Sequence, residues 1–519
     1  EHLEAGDYLV HIDLGIGRFI GLVSQPMDGI MRDYFTVEYA EEDKLYVPIE
    51  HTDRLSRYLG SPHPTLERLS AATWFQATKR ARLEAERVAR ELVNTYAKRQ
   101  VANVEPWQHH AEEAVLAASF PWPLTPDQLK AWAEISADLG GSQPMDRLVC
   151  GDVGFGKTEL AVRAAYRAVL NKTQVAILAP TTILAQQHFD TFAERMKKYG
   201  TRIGLVSRAL EPASLRTTLK QLAAGEIDVL IGTHRLLARD VHYPKLGLLI
   251  IDEEQRFGVK QKESLRHLRP ELHVLTLSAT PIPRTLHLAV SAIRDLSLIT
   301  TPPVGRQSVA MTFAPQDDTI LTQAIKQELS RQGQVYYLVN HISDLAPAGA
   351  LLKRLFPNLR VGVVHGRLKP TDVAATMHAF DERKLDVLLA TTIIENGLDL
   401  PNVNTLIVES AEQFGLADLY QLKGRVGRTT TKAYAYFLIN DTQTITAQKR
   451  LEALQQAEAV GSGLTLALKD LELRGAGTIL GHEQHGHVSA IGLHLYGQLL
   501  AQAVEELQSG QSIPSIPEV

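Results

Sequence analysis

The chain has 519 residues, which is too many for a single hydrophobic core, so about three or four folding units are expected. Apolar residues make up 45% and charged residues 22% of the sequence, a balance that excludes an extensively disordered protein. A formal net charge of -5 excludes a global basic field, so any binding of nucleic acid has to come from local patches and backbone amides.

The apolar runs and the cysteine content bear on the compartment. The run from Leu246 to Ile251 is among the longest, and it falls far short of the ~20 residues that span a bilayer. The single cysteine, Cys150, excludes an internal disulfide and a cysteine-based zinc cluster. These observations predict a cytoplasmic protein.

A small β-barrel is predicted for residues 1–60, where short apolar or alternating segments are separated by turns rich in Gly and Asp. The expected strands are Tyr8–Ile12, Arg18–Val23, Tyr34–Tyr39 and Lys44–Pro48. The glycines at positions 15, 17 and 21 superficially suggest a dinucleotide-binding turn. The third glycine is misplaced for that motif and no helical pattern follows, so no cofactor is expected there.

A long amphipathic helix is predicted within residues 61–103, after a Ser-Pro-His-Pro break at 61–64. Apolar or small residues recur from Trp74 to Tyr96 at helical spacing, with Lys and Arg on the other face. This pattern favours a connecting helix that packs on the following domain. A direct grip on nucleic acid is the alternative.

Two α/β lobes are predicted next, because apolar strands alternate with helical segments in a way typical of parallel sheets covered on both faces. The first lobe spans 104–300, and its strands are Arg147–Cys150, Gln174–Ala179, Val229–Gly232, Leu246–Ile251 and His273–Leu277. A Thr-Pro-Pro linker at 301–303 opens the second lobe, 301–445. Its strands are Gln334–Val339, Arg360–Val364, Val387–Ala390, Thr405–Val408 and Ala433–Leu438.

A phosphate-binding loop lies between a predicted strand and a helix expected to begin near Glu159. Its glycines let backbone N–H groups face the phosphates of ATP, Lys157 reaches the outer phosphates, and the Thr158 hydroxyl is a ligand for Mg2+. The loop consists of Gly151, Asp152, Val153, Gly154, Phe155, Gly156, Lys157 and Thr158.

Two acids follow the apolar strand that ends at Ile251. Ligands in α/β sheets bind at the carboxyl ends of strands, so Asp252 is expected to hold the metal and Glu253 to activate water. An acidic turn without function is the alternative, which the phosphate loop makes the weaker one. Together the two motifs predict ATP hydrolysis.

The order of motifs over residues 120–486 resembles that of superfamily 2 helicases and translocases. The resemblance implies that Phe120 and Gln128 read adenine, and that Ser278 and Thr280 couple hydrolysis to the nucleic acid. In the second lobe it implies a coupling role for Gly397 and Asp399. It also implies that Gln421, Arg425 and Arg428 complete the catalytic site, the arginines acting as fingers when the lobes close.

Contacts to nucleic acid in this family are mainly to phosphates, so binding is expected to be sensitive to salt and insensitive to sequence. By resemblance, these contacts come from short polar segments in both lobes. The positions are Thr181, Thr182, Thr233, His234, Arg235, His365, Arg367, Thr391 and Thr392.

The segment 446–519 contains a run from Asp470 to Gly486 that resembles the translocation motif of RecG and the bacterial transcription-repair coupling factors. The resemblance implies a helical hairpin in which Arg474 and Gln484 link nucleotide state to a grip on duplex DNA. A glycine-rich loop that merely packs the hairpin is the alternative. His482 and His485 are spaced by three residues, whereas the zinc-protease helix needs four, so no zinc site is expected.

The front end also resembles the coupling factors, whose polymerase-interacting module is shared with CarD-type transcription regulators. The residues that carry this likeness run from Val10 to Gly21 and from Lys44 to Pro48. We expect Gly21, Leu22 and Val23 to form an exposed strand edge that pairs with RNA polymerase, through its β subunit.

The resemblance therefore implies a multidomain α/β protein with a CarD/Tudor-like barrel, a connecting helix, two RecA-like lobes and a C-terminal hairpin. Its expected function is an ATP-dependent translocase on double-stranded DNA that displaces or rescues stalled RNA polymerase and so couples transcription to DNA repair. UvrA is expected as a partner only if a UvrB-like region precedes this polymerase-binding and motor core. A RecG-like remodeller of branched DNA, or a polymerase-binding module with a vestigial motor, are the alternatives.

Overall fold

A computed structural model describes most of the first 440 residues, and the described segments form two compact units. The described residues before 98 and after 467 belong to one unit, and those of 102–279 and 295–439 to the other. The described residues are 5–27, 30–58, parts of 66–90, 102–207, 210–238, 240–253, 257, 271–279, 295–303, 309–391, 402–427, 431–439 and parts of 495–506.

The N-terminal residues form a five-stranded antiparallel sheet in the order β4-β3-β2-β1-β5. The strands are β1 (Tyr8–His11), β2 (Gly15–Met27), β3 (Ile30–Glu38), β4 (Lys44–Pro48) and β5 (Leu55–Arg57). The four predicted strands are present, β2 is longer than predicted, and β5 was missed because three residues are too few to show alternation. Closure of the sheet into a barrel stays a prediction.

One face of this sheet holds a small core around Leu9, Phe19, Val37 and Tyr39. Gly17 is required there, since a Cβ at this position would lie 2.4 Å from a methyl carbon of Val37. The Val37 side chain on β3 therefore occupies the space that a Cβ on β2 would need at position 17.

The predicted connecting helix is helical at the described positions 74–76, 78–83, 86–87 and 90. Trp74 is buried, and its indole N–H donates to the Ile12 carbonyl at 3.0 Å. The helix is thus anchored to the N-terminal sheet, a contact that the sequence prediction did not include.

The first lobe is built on a seven-stranded sheet, parallel throughout, in the order β12-β6-β11-β10-β7-β9-β8. Its strands are β6 (Asp146–Gly151), β7 (Gln174–Leu178), β8 (Ile203–Val206), β9 (Val229–Gly232), β10 (Leu246–Asp252), β11 (His273–Ser278) and β12 (Asp295–Ile299). Its helices are α1 (Glu112–Ala118), α2 (Pro126–Leu139), α3 (Lys157–Leu170), α4 (Thr182–Met196) and α5 (Pro212–Ala223).

Both faces of this sheet are buried, as the continuous apolar strands predicted. Along β10 the side chains alternate between two cores: Leu248 and Ile250 pack in one, whereas Leu249 and Ile251 pack in the other. The sheet is therefore covered on both faces, and the polar residues that follow its strands lie at its carboxyl edge.

The second lobe has a six-stranded parallel sheet in the order β13-β18-β17-β14-β16-β15. The strands are β13 (Ala310–Pro315), β14 (Gln334–Leu338), β15 (Val361–Val364), β16 (Val387–Ala390), β17 (Val403–Val408) and β18 (Tyr434–Ile439). The helices are α6 (Asp318–Ser330), α7 (Leu345–Leu355), α8 (Pro370–Asp381) and α9 (Leu416–Lys423).

The predicted C-terminal hairpin lies almost wholly outside the described residues. Positions 495, 498, 499, 502, 503 and 506 are helical.

In the described part of the chain, no helix is both long and apolar enough to cross a membrane.

Candidate active site

The phosphate loop joins β6 to α3, which begins at Lys157, two residues before the predicted start. Gly154 and Gly156 have φ angles of 78° and 75°, a left-handed conformation that glycine adopts at little cost. A Cβ at Gly156 would also lie 2.4 Å from the side-chain nitrogen of Gln128. The loop can therefore turn its N–H groups toward a phosphate at a helix N-terminus.

Lys157 is buried, with 9% of its surface exposed, and its Nζ donates to the carbonyls of Gly151 at 2.5 Å and Asp152 at 2.9 Å. Burial lowers the pKa of Lys157, whereas the charges of Glu253, Asp252 and Asp152 oppose that change. These acids therefore lie close enough to the lysine to act on its pKa.

Asp252 is the last residue of β10, and burial alone would raise the pKa of its carboxyl group. The hydrogen bond and charge of His188, together with the charges of Lys157 and Arg425, hold that pKa below its usual range. Asp252 is thus kept ionised, as a metal ligand must be.

Glu253 has a φ angle of 52°, a left-handed conformation that costs a non-glycine residue ~1–3 kcal/mol. Its N–H donates to the Leu277 carbonyl at the end of β11, at 3.0 Å. The neighboring strand therefore fixes the backbone of this predicted base in its unusual conformation.

The donors present fit a magnesium ion that is shared with a nucleotide. Among the residues that the structure describes, no group of three or more His, Cys, Asp and Glu side chains is placed to hold a metal alone. Mg2+ usually takes one or two carboxylates and completes its shell with water and phosphate oxygens. Asp252 and the Thr158 hydroxyl would supply the protein ligands.

Of the two predicted base-reading residues, Gln128 is tied to the phosphate loop and Phe120 contacts an arginine. The Gln128 side chain donates to the Phe155 carbonyl at 2.7 Å and accepts from the Thr125 N–H at 2.8 Å. Phe120 lies under the guanidinium group of Arg195, whose Cζ is 5.1 Å from the ring centroid. Arg195 was not predicted, because nothing near it in the sequence marks its contact with Phe120.

A third contact of this region reaches the linker between the lobes. Asp127 accepts from the N–H and hydroxyl groups of both Thr300 and Thr301, each at 2.8 Å. Burial alone would raise the pKa of Asp127, but these bonds together lower it from 3.8 to about 2. The beginning of the linker is thus fixed one residue away from Gln128.

The second lobe brings α9 against the phosphate loop. The Tyr420 hydroxyl donates to the Asp152 carboxylate at 2.7 Å, and a Cβ at Gly424 would come within 3.0 Å of the Val153 Cβ. The predicted residues Gln421 and Arg425 are 8% and 4% exposed. Since Arg425 also acts on the pKa of Asp252, it lies beside the site that it was predicted to complete.

The predicted nucleic-acid contacts collect at the carboxyl ends of neighboring strands. In the first lobe, Thr181 and Thr182 follow β7, and Thr233 follows its partner β9. In the second lobe, His365 follows β15 and Thr391 follows its partner β16.

The side chains at these positions differ in availability. Arg235 donates to both carboxylate oxygens of Asp240, one of them at 2.6 Å, so a phosphate would have to compete with that pair. Arg367 is exposed, whereas Thr233 and Thr391 are 4% and 7% exposed. His234 is the first residue of a short 3-10 turn, His234–Leu237, which also contains Arg235.

The remaining predicted residues divide into two groups. Ser278 ends β11 and is buried. Along β2, pairing with β1 ends at Arg18. The next predicted residues, Gly21, Leu22 and Val23, pair with β3 on the other side of β2, and Leu22 is 62% exposed. Outside the described residues lie Thr280, Thr392, Gly397, Asp399, Arg428, Arg474 and Gln484.

Three parts of the chain match family models. Residues 3–59 match the CarD-like/TRCF RID domain, residues 125–289 the DEAD/DEAH box helicase domain, and residues 318–430 the helicase conserved C-terminal domain. These matches confirm the CarD-like front end and the two superfamily 2 ATPase lobes.

Solved structures agree with this organization. The structure of RecG bound to a three-way DNA junction is 31% identical, with a TM-score of 0.66 over 84% of this chain and 56% of that one. The DEAD-box helicase Mss116 bound to single-stranded RNA, at 15% identity and a TM-score of 0.54, covers 67% of this chain and 76% of that one. The second likeness shows the fold alone.

Curated relatives align with the whole chain. Transcription-repair-coupling factors of Staphylococcus haemolyticus and Staphylococcus aureus are 43% and 44% identical over 525 and 527 residues. The chain spans 45% of the length of each of these relatives. The chain therefore joins a superfamily 2 ATPase core to a CarD-like domain, and over its whole length it is similar to part of the transcription-repair-coupling factors.

Proposed function

We propose that this chain hydrolyses ATP to move along double-stranded DNA while its N-terminal domain holds RNA polymerase, so that stalled polymerase is displaced or rescued and repair follows transcription. The observation that carries the proposal is the meeting of both lobes at one site. Asp152 of the phosphate loop binds Tyr420, and Arg425 acts on Asp252. Similarity to the transcription-repair-coupling factors supports the DNA and polymerase partners.

The chemistry follows from the residues at the sheet edge. The loop N–H groups and Lys157 bind the phosphates of ATP. Thr158 and Asp252 would hold Mg2+, which would neutralize part of the phosphate charge. Glu253 accepts a proton from a water molecule as the oxygen of that water attacks the terminal phosphorus. The bond between this phosphorus and the bridging oxygen breaks, and ADP leaves. Arg425 stabilizes the charge that develops on the transferring group.

The proposed nucleic-acid contacts lie at the carboxyl ends of other strands in the two lobes. Phosphate contacts at the ends of β7 and β9 and of β15 and β16 change their spacing when the lobes close, which turns hydrolysis into movement. Arg428, Gly397, Asp399, Arg474 and Gln484 keep their proposed catalytic and coupling roles by resemblance.

The N-terminal domain supplies the anchor. Large apolar side chains are exposed on its sheet, and Leu22 on β2, Met31 on β3 and Tyr46 on β4 are 62%, 64% and 43% exposed. Apolar surface that the domain itself leaves open is suited to a protein partner. We assign it to RNA polymerase, with the β subunit as the contact and Gly21, Leu22 and Val23 as the pairing segment.

The proposed domain boundaries are 1–60, 61–103, 104–300, 301–445 and 446–519, with a closed barrel first and the hairpin last. Recruitment of UvrA belongs to the proposal only where a UvrB-like region is joined to this core.

The test is release of a nucleotide-starved RNA polymerase from duplex DNA with ATP. We expect release by the unaltered chain, none by Glu253→Gln, and strongly reduced release by Leu22→Glu with its DNA-stimulated ATPase retained. Val115→Glu is the matched control, since Val115 is an apolar side chain of the first lobe that is 56% exposed. Full release by Leu22→Glu would contradict the anchor assignment.

RecG-like remodelling of branched DNA is the second candidate, favored by the 31% identity to the RecG structure. Regression of a model fork without polymerase tests it. Regression of the fork together with failure to release polymerase would make remodelling of branched DNA the preferred function.

A further inference from the structure

A buried histidine contacts the metal-binding acid from a different element. His188 of α4 is 6% exposed, and its Nε2 lies 2.8 Å from Oδ2 of Asp252. An ionised carboxylate only accepts hydrogen bonds, so Nε2 carries the hydrogen and donates it. The ring of Phe192 packs edge-on against the imidazole, with the two ring centroids 6.3 Å apart and the planes at 82°.

This hydrogen bond crosses a division in the sheet of the first lobe. The strands β6, β11 and β10 are neighbors and end at the phosphate loop, Ser278 and Asp252, whereas β7 and β9 end at the predicted nucleic-acid contacts. The boundary runs between β10 and β7, which pair in parallel. His188 reaches over this boundary from the helix that follows β7.

The same helix begins at the predicted DNA edge. The Thr181 hydroxyl accepts from the Leu184 N–H at 3.3 Å and caps the helix, and Thr182 is its first residue. Because a helix moves as a rigid rod over two turns, a phosphate that displaces Thr181 or Thr182 also displaces His188. The helix therefore links the DNA edge to the Asp252 carboxylate.

We propose that His188 is a positioning residue that holds one oxygen of Asp252 so that the other faces Mg2+, and that transmits DNA contact at the start of α4 to the metal site. The second part rests on the proposed function. A carboxylate at the end of a strand can rotate about its own bond, and a hydrogen bond to one oxygen selects the orientation. Loss of such a partner of a metal ligand typically weakens metal binding or activity by about 10- to 100-fold.

Two amide substitutions separate positioning from packing. The amide nitrogen of Gln in His188→Gln reaches about as far as Nε2, whereas that of Asn in His188→Asn stops at the level of Nδ1. Both amides are polar and similar in size. Phe192→Leu is the packing control, since it removes the ring that packs beside the imidazole and leaves the hydrogen bond between His188 and Asp252.

Binding of Mn2+ in the presence of ADP, measured by electron paramagnetic resonance on the full chain, reports the metal site without turnover. We expect about 10-fold weaker Mn2+ binding for His188→Asn and a change below about 3-fold for His188→Gln. Equal Mn2+ affinity in His188→Asn and the unaltered chain would overturn the proposal. Equal weakening by Phe192→Leu would also overturn it, because packing alone would then explain the effect.

The DNA link is tested by reciprocity, since two coupled sites change each other's affinity by the same factor. Saturating duplex DNA is expected to change the Mn2+ affinity of the unaltered chain severalfold, and that factor should fall toward one in His188→Asn. An unchanged factor in the variant would remove His188 from the link. Fluorescence anisotropy of labeled duplex is measured in parallel, so that absence of DNA binding, a failure of the proposed function, is distinguished from failure at His188.

Discussion

In the first lobe, the carboxyl edge of the sheet carries a phosphate loop and two acids, whereas the second lobe brings to that place the phenol of Tyr420 on α9 and the guanidinium of Arg425, two residues after the helix. Both lobes are parallel sheets with helices packed on them. The difference lies in which residues follow the strands and in where they point. The first lobe holds the nucleotide-binding groups. The second lobe supplies groups that contribute to catalysis only when this lobe contacts the phosphate loop.

This division has an electrostatic side. Lys157 and the two acids of the first lobe balance each other and are present whatever the second lobe does, whereas the positive charge of Arg425 joins them only through the contact of α9 with the loop. Substitutions in the first lobe should therefore remove the chemical step itself, and those in the second should remove the part of the rate enhancement that arises when the lobes close.

The largest effect is expected from Glu253→Gln, which keeps shape but removes the base. General-base loss should lower the kcat for ATP by about 10⁴-fold with little change in nucleotide affinity. Steady-state ATPase with duplex DNA and binding of a fluorescent nucleotide measure the two quantities. Substantial remaining turnover would mean that another group accepts the proton.

Arg425→Ala tests the second lobe and should lower kcat by about 10³-fold, because the charge on the transferring group then lacks its partner across the cleft. Arg354→Ala is the control: this arginine of the same lobe is exposed and pairs with Asp318 at 2.5 Å. Nucleotide binding should be retained in both variants. A loss below about 10-fold for Arg425→Ala would remove its role as a finger.

Tyr420→Phe sharpens the comparison, because it removes only the hydroxyl that joins the lobes. A hydrogen bond to a charged group contributes ~1.5–3 kcal/mol, so we expect kcat/KM for ATP to fall by about 10-fold. Tyr337→Phe removes a matched bond inside the second lobe, from its hydroxyl to Glu409 at 2.8 Å. That control should lower thermal stability and leave kcat/KM nearly unchanged, and similar kinetic losses in both would argue against a role for closure.

The smallest effect is expected at the linker. Asp127→Asn should destabilize the motor by ~1 kcal/mol, since Asp127 is half-buried and water screens part of its interactions. The folded-state pKa is lowered from 3.8 to about 2, so the carboxylate stabilizes fully above pH 3.8 and loses this effect as pH falls through 2. Melting temperatures are measured for Asp127→Asn and for the unaltered chain between pH 7 and pH 3. The difference between the two melting temperatures should become smaller at low pH, and a difference that stays constant would contradict this prediction.

Local patterns predicted the catalytic loop and the buried strands, because their residues are adjacent in sequence and apolar on both faces. The strands β5, β8, β12 and β13 were missed, since they are short or half exposed and lack a continuous apolar run. Pairing of distant residues was also beyond sequence patterns. His188 and Asp252 are 64 residues apart, Asp127 and Thr300 are 173 apart, and Tyr420 and Asp152 are 268 apart.

The bonds between Asp127 and the two threonines have a mechanical consequence. They attach the chain leading to the second lobe right beside the glutamine that faces the phosphate loop. A rotation of the second lobe about that attachment would therefore have its pivot beside the phosphate loop, so the lobe would swing about a point next to the nucleotide site.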